Sequence, residues 1–225
     1  MVGITVNVPV VGRFVFRRAE LWADAVIHVL GVALGLGAVT ALIVQVANSA
    51  PLLDLIPISI YGAALLSVLI VSATYNMWPI SPRKWFIRRF DHSAIYVLIA
   101  GTYTPFLMKL SASIFAQAHL AIVWLAAAAG VAIKVALPGR FDRLSIALYL
   151  LIGWSGLLIW ESVSLLPVTT LWLIVAGGVL YSIGVIFHVW ESLPFQNAIW
   201  HGFVLVASGC FYGAVFRVYA IMPAV

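Results

Sequence analysis

Seven long apolar segments make up most of this chain, and they restrict its fold more than any other feature. Of 225 residues, 64% are hydrophobic and 8% are charged, and this composition does not suit a single water-soluble core. A spanning helix needs about 20 apolar residues. The sequence therefore predicts an all-α integral membrane bundle of seven transmembrane helices. One domain of residues 1–225 would hold spans near 21–46, 52–77, 92–109, 114–137, 144–165, 169–189 and 198–221.

Basic residues cluster in alternate connections between these spans. Because cytoplasmic loops retain Lys and Arg, the amino terminus is predicted to be cytoplasmic and the carboxyl terminus outside. These cations flank membrane spans, so we expect membrane lipids and not nucleic acid as partners. The residues that carry the argument are Arg13, Arg17, Arg18, Arg83, Lys84, Arg88, Arg89, Arg140 and Arg143.

Polar side chains recur at the same end of several predicted spans. An ionised group facing lipid costs several kcal/mol, so their shared depth predicts one polar pocket near the cytoplasmic face. The simpler interpretation is that Asp91 and His92 cap a helix and that Glu20 and Asp24 pair with nearby arginines. The residues concerned are Glu20, Asp24, His28, Ser72, Asn76, Asp91, His92, His188, Asn197 and His201.

Several of these residues are spaced four apart, which places them on one face of a helix. Asn197 and His201 form one such pair, and Ser72 and Asn76 form another. Such a pair can share an ion with a ligand from a neighbouring helix. Amide oxygens are weak zinc ligands, however, whereas imidazole and carboxylate groups are strong ones.

Five segments of the sequence together resemble the hemolysin III branch of the progestin and adipoQ receptor (PAQR) family. The most recognisable is Arg-Phe-Asp-His-Ser-Ala-Ile-Tyr at 89–96, followed by Gly-Thr-Tyr-Thr-Pro-Phe at 101–106. The others are 20–28, 72–76 and 197–204. The resemblance covers essentially the whole chain.

The resemblance implies a seven-helix protein of the bacterial inner membrane, with zinc bound by three histidines near the cytoplasmic face. Relatives are linked to lipid amide hydrolysis or to control of membrane lipid composition. In this chain Asn76 and Asn197 stand at two of the histidine positions, and only His201 retains imidazole. Asp91, beside the water that the metal activates in the family, and Ser72 are both retained.

Three accounts of the two asparagines stay open. The metal could be lost, leaving a hydrogen-bonded pocket. The site could instead be rebuilt around His201, with the asparagines moved outward to support the ligands. The replacement ligands would then come from His28, His188, His92, Asp91, Asp24 and Glu20. A harder cation could also bind carboxylates and amides together.

Whether this site binds a metal decides which functional hypothesis is favoured. With a metal, Asp91 would act as general base and Ser72 would bond to the developing oxyanion in hydrolysis of a lipid amide or ester. Without one, no nucleophile is evident, and lipid binding, sensing or regulation is favoured. Enzymatic activity is therefore left open, and membrane lipid homeostasis is the leading hypothesis. A pore or transporter is the third hypothesis, although no polar stripe crosses the bilayer in the sequence.

Overall fold

In the computed structural model, residues 17–221 are described, and this part of the chain is all-helical. Arg13, which the charge argument used, and the final residues 222–225 lie outside this range. The helices are α1 (Arg18–Ser49), α2 (Leu55–Met77), α3 (Pro82–Lys109), α4 (Ile114–Ala136), α5 (Asp142–Trp154), α6 (Trp160–Val163), α7 (Val168–Val189) and α8 (Gln196–Ile221).

Within the described residues, six helical segments are long and apolar enough to cross a membrane. The expectation of an all-α membrane bundle is thereby confirmed, while the count of seven spans stays a prediction. The six segments are Arg18–Ser49, Leu52–Met77, Ile114–Ala136, Asp142–Val163, Val168–Val189 and Gln196–Tyr219.

Helix α3 is the long helix that falls outside this set, and it packs against α2, α4, α5 and α8. It starts ten residues before the span expected near His92, because Ser81 caps it and Pro82 occupies its first turn. The Ser81 hydroxyl accepts a hydrogen bond from the Lys84 amide at 3.3 Å. Proline suits this position because its missing N–H would be unpaired there anyway. The basic residues between 83 and 89 are therefore helical.

The segment Asp142–Val163 is interrupted at 155–159 by a 3-10 turn between α5 and α6. Tyr103 of α3 compensates for the broken helical hydrogen bonds. Its hydroxyl contacts the carbonyl oxygens of Ile152 and Gly153 at 3.1 and 2.8 Å and accepts a bond from the Gly156 amide at 2.8 Å. Because lipid offers no substitute partners for such groups, a neighbouring helix must supply them.

Helix α1 turns one narrow stripe toward the rest of the bundle and leaves large apolar residues exposed on its other side. The stripe repeats every three or four residues, as expected of a helix packed on one face. It is packed chiefly against α2 and α8. Its members are Asp24, His28, Gly31, Gly35, Val39, Leu42 and Val46. The two polar residues therefore lie inside the bundle, near the start of the helix.

Candidate metal-binding site at one end of the bundle

Three side chains converge near the amino-terminal ends of helices α1 and α8. Asp24 and His28 are one turn apart on α1 and are 6% and 5% exposed. His201 enters from α8, and its Nδ1 lies 2.6 Å from Asp24 Oδ1. His28 Nε2 lies 3.5 Å from Asp24 Oδ2, and the two imidazole rings are 4.4 Å apart between centroids. The Asp24 carboxylate thus contacts both histidines.

This arrangement has the chemistry of a metal site. Asp24, His28 and His201 each offer one donor atom, and these atoms lie within 4.8 Å of one another. The buried His28 Nε2 has no hydrogen-bond partner among the described residues, and such an atom is costly to bury. Two imidazoles and a carboxylate are an established type of zinc ligand set that leaves a fourth position open. The residues present therefore fit a divalent ion such as zinc.

Asp91 and Ser72 lie beside this cluster. Asp91 of α3 is half-buried and interacts electrostatically with His201 and His28. The Ser72 hydroxyl of α2 interacts with the Asp91 carboxylate. Four helices therefore contribute polar groups to one region of the described structure. A second carboxylate next to the first gives the region a group that could accept a proton.

The two asparagines at the positions where the resemblance implies histidines are both half-buried. Asn76 Nδ2 donates to the Ser72 carbonyl oxygen at 3.0 Å and to its hydroxyl at 3.2 Å. The amide nitrogen is therefore engaged by its own helix. Asn197 lies half-buried in the first turn of α8, four residues before His201.

His188 and His92 occupy a neighbouring region. His188 of α7 packs on Trp200 with ring centroids 4.9 Å apart, and its buried Nδ1 has no hydrogen-bond partner among the described residues. It interacts electrostatically with His201. His92 interacts electrostatically with Arg88 of α3, Lys134 of α4 and Asp142 of α5. Its carbonyl oxygen accepts a hydrogen bond from the Tyr149 hydroxyl at 2.8 Å. Neither histidine belongs to the three-residue cluster.

Glu20 lies at the rim of the site and holds two chain segments together. Its carboxylate accepts hydrogen bonds from the backbone amides of Arg17 at 2.8 Å and Phe195 at 3.1 Å. Phe195 has a φ of 60°, which is unfavourable for a residue with a side chain. Glu20 therefore joins the start of α1 to the connection between α7 and α8.

A second charged group was not expected from the sequence. Asp142 accepts hydrogen bonds from Arg88 at 2.7 Å and from Lys134 at 2.8 Å. Lys134 is only 2% exposed, and a charge buried to that degree requires a partner. No local pattern signals the pairing of Arg88 with Asp142, since 54 residues separate them. By contrast, the spacing of Asp24 and His28 was visible in the sequence.

Comparison with known proteins gives a consistent result. The model of a family described as haemolysin-III related matches residues 16–212. A hemolysin-3 homolog of Bacillus subtilis is 37% identical over 204 residues, which cover 89% of this chain and 94% of the relative. Hemolysin-3 of Bacillus cereus is 34% identical over 204 residues, covering 89% and 91%. The human monocyte to macrophage differentiation factor is 29% identical over 166 residues, covering 70% and 68%.

Proposed function

Because this chain belongs to the haemolysin-III-related family and is a bacterial integral membrane protein, we propose that it acts in membrane lipid homeostasis as a metal-dependent hydrolase of a lipid amide or ester. The observation that carries the proposal is the cluster of Asp24, His28 and His201. A purely structural polar contact would not need two histidines around one buried carboxylate.

The proposal includes a seven-span topology in which α3 is the third span. At 28 residues and about 1.5 Å per residue, α3 is about 42 Å long, which exceeds the hydrocarbon thickness of about 30 Å. Neighbouring helices shield its polar residues from lipid, so it does not need the apolar composition of an outer helix. The distribution of Lys and Arg supports a cytoplasmic amino terminus and an outer carboxyl terminus.

The ligand set of this chain supports a site rebuilt on α1. Asp24 and His28 offer a carboxylate and an imidazole, in place of the two imidazoles that Asn76 and Asn197 replace in the family pattern. Zinc is the ion proposed, because imidazole and carboxylate both suit it. When bound, such an ion would supply Lewis acidity, polarising a carbonyl group and activating water at neutral pH.

The remaining residues have roles that follow from their positions. Asp24 would hold His201 through the 2.6 Å contact and so orient its ring. Asp91 is a carboxylate next to, but outside, the ligand cluster, and it would accept a proton from water. Ser72, which interacts with Asp91, would donate a hydrogen bond to the oxygen on which negative charge develops. A lipid substrate could approach from the surrounding bilayer.

The first test is the metal content of the protein purified in detergent without added metal or chelator. About one zinc per chain is expected by elemental analysis, falling sharply in His28→Ala and His201→Ala. Glu161→Gln, at an exposed residue of α6, is the matched control and should keep the metal. A protein that neither contains zinc nor binds it on addition would contradict the proposed metal site. A protein that binds only a harder cation would show that the ion is not zinc.

The second test is turnover of a ceramide or other lipid amide by the zinc-loaded protein in liposomes. Asp91→Asn should abolish turnover while zinc remains bound, because the proton acceptor is lost and the ligands are kept. If metal-free protein still restored membrane properties in a deletion strain, hydrolysis would be rejected in favour of a lipid-sensing or regulatory role.

A further inference from the structure

An apolar groove follows the contact between α3 and α4 on the outside of the bundle. Its volume is about 380 Å³, and it is open along one side. Hydrophobic side chains line it and no charged group does, so it suits a hydrocarbon occupant. The lining residues are Val97, Trp124, Ala127, Ala128, Val131, Ala132 and Val135.

The shape of the groove follows from the sequence of α4. Ala127, Ala128 and Ala132 are too small to fill the space beside α3, while Trp124 lines one end. The Trp124 indole is held in place by a hydrogen bond from its Nε1 to the Thr104 hydroxyl of α3 at 3.1 Å. The groove is therefore a fixed feature of this helix pair.

The length of the groove matches one leaflet of a bilayer. Its α4 wall runs from Trp124 to Val135, and eleven residues at about 1.5 Å each span about 16 Å. Half of the hydrocarbon core of a membrane is about 15 Å thick. Val135 is the penultimate residue of α4, so this end lies close to the headgroups and the Trp124 end close to the bilayer centre.

Arg89 lies at the headgroup end of the groove. One terminal nitrogen of its guanidinium group donates to the Val135 carbonyl oxygen at a long 3.4 Å. Among the described residues, its buried Nε has no hydrogen-bond partner, and no carboxylate of this part of the chain lies within ion-pair distance of it. The neighbouring Arg88 and Lys134 differ, because both bond to Asp142. The Arg89 guanidinium carbon lies 5.6 Å from the centre of the Phe86 ring, a contact through the guanidinium face that leaves its in-plane N–H donors available to an outside anion.

We propose that this groove binds one acyl chain of an anionic phospholipid, with the lipid phosphate at Arg89. Guanidinium groups pair well with phosphate, in two parallel hydrogen bonds where the geometry allows. The apolar wall, the length of one leaflet and an arginine with no carboxylate partner among the described residues all favour this occupant over an apolar peptide or a free phosphate ion. The site lies on α3 and α4, apart from the metal cluster, and does not rest on the proposed hydrolysis.

The test is the lipid retained by the purified protein after reconstitution with equal amounts of phosphatidylglycerol and phosphatidylcholine, measured by native mass spectrometry. Wild type should retain about one phosphatidylglycerol in preference to phosphatidylcholine. Arg89→Gln should lower this preference about tenfold, the effect of losing a hydrogen bond to a charged group. Ala128→Phe should prevent retention of either lipid by filling the groove. Arg83→Gln, an exposed arginine in the first turn of α3, is the matched control and should behave as wild type.

Three results would overturn the proposal. Equal retention by wild type and Arg89→Gln would show that the arginine does not select the lipid. An equal loss in Arg83→Gln and Arg89→Gln would attribute the preference to general surface charge. If Ala128→Phe does not yield folded protein, the comparison of the two arginine variants still decides the question. Binding of inorganic phosphate alone at Arg89, without lipid retention, would also contradict it.

Discussion

Asp24 is the residue on which the candidate site depends most, because both histidines contact its carboxylate. Its contact to His28 joins residues one helical turn apart, and its contact to His201 joins residues 177 positions apart. Asn197, in contrast, occupies a position where the family pattern has a histidine ligand. Its amide oxygen would be a weak ligand for zinc. The importance of these two residues for metal binding should therefore differ from what the resemblance alone implies.

We predict that Asp24→Asn lowers zinc affinity by about 10- to 100-fold, the effect usual for loss of a group that supports or supplies a ligand. The substitution keeps the size of the side chain and removes its charge. Asn197→Ala should change zinc affinity little. The measurement is a zinc titration against a competing chelator. If Asn197→Ala lost zinc affinity and Asp24→Asn kept it, the metal would instead be bound at the positions where the family pattern has its ligands.

At the scale of helices, small residues determine how closely neighbours approach. Gly130 of α4 lies against the ring of Tyr96 on α3, and a Cβ added there would be 2.5 Å from two ring atoms. Tyr96 is 2% exposed and packs in turn on Tyr149 of α5 with ring centroids 4.5 Å apart. The ring therefore has little room to move. Close approach through small residues is a general feature of helix packing in membranes.

We predict that Gly130→Ala destabilises the folded protein by about 1–3 kcal/mol, the usual cost of overpacking a filled interior. Gly37→Ala is the matched control, because a Cβ at Gly37 has no heavy atom within 4 Å. The measurement is the thermal unfolding midpoint in detergent, followed by tryptophan fluorescence. A lower midpoint is expected for Gly130→Ala only. Equal midpoints for the two variants would show that α3 and α4 can separate at little cost.

At the scale of the whole molecule, the path of α3 decides the topology. With α3 as a span, the connections after α1 and α3 face outward, and those after α4 and α7 face the cytoplasm. Without it, the chain would cross six times, and every connection after α3 would change sides. Cys210 is the only cysteine, so single-cysteine variants are accessible from Cys210→Ser.

We predict that a membrane-impermeant maleimide labels Ser49→Cys and Ala112→Cys on intact spheroplasts. Leu137→Cys and Ser192→Cys should be labelled only after permeabilisation. All four positions are exposed, so failure to react reports the membrane barrier and not burial. Labelling of Leu137→Cys but not Ala112→Cys on intact spheroplasts would exclude a spanning α3 and with it the seven-span topology.

The sequence by itself determined the class of fold and the shared helix face of Asp24 and His28. Apolar segment length identifies helices that suit a bilayer, and helical periodicity places Asp24 and His28 on one face, because both are local properties of the chain. The resemblance to the hemolysin III branch, carried by segments such as 89–96, is confirmed by the family match over residues 16–212.

The tertiary structure alone decided which distant residues meet. It pairs Asp24 with His201 and joins Arg88 to Asp142 across 54 positions. It also turns the Asn76 amide toward Ser72 and leaves a groove beside Ala128. These outcomes depend on how helices rotate and cross when their side chains interdigitate. That geometry is set by packing among all the helices, and no local pattern in the sequence specifies it.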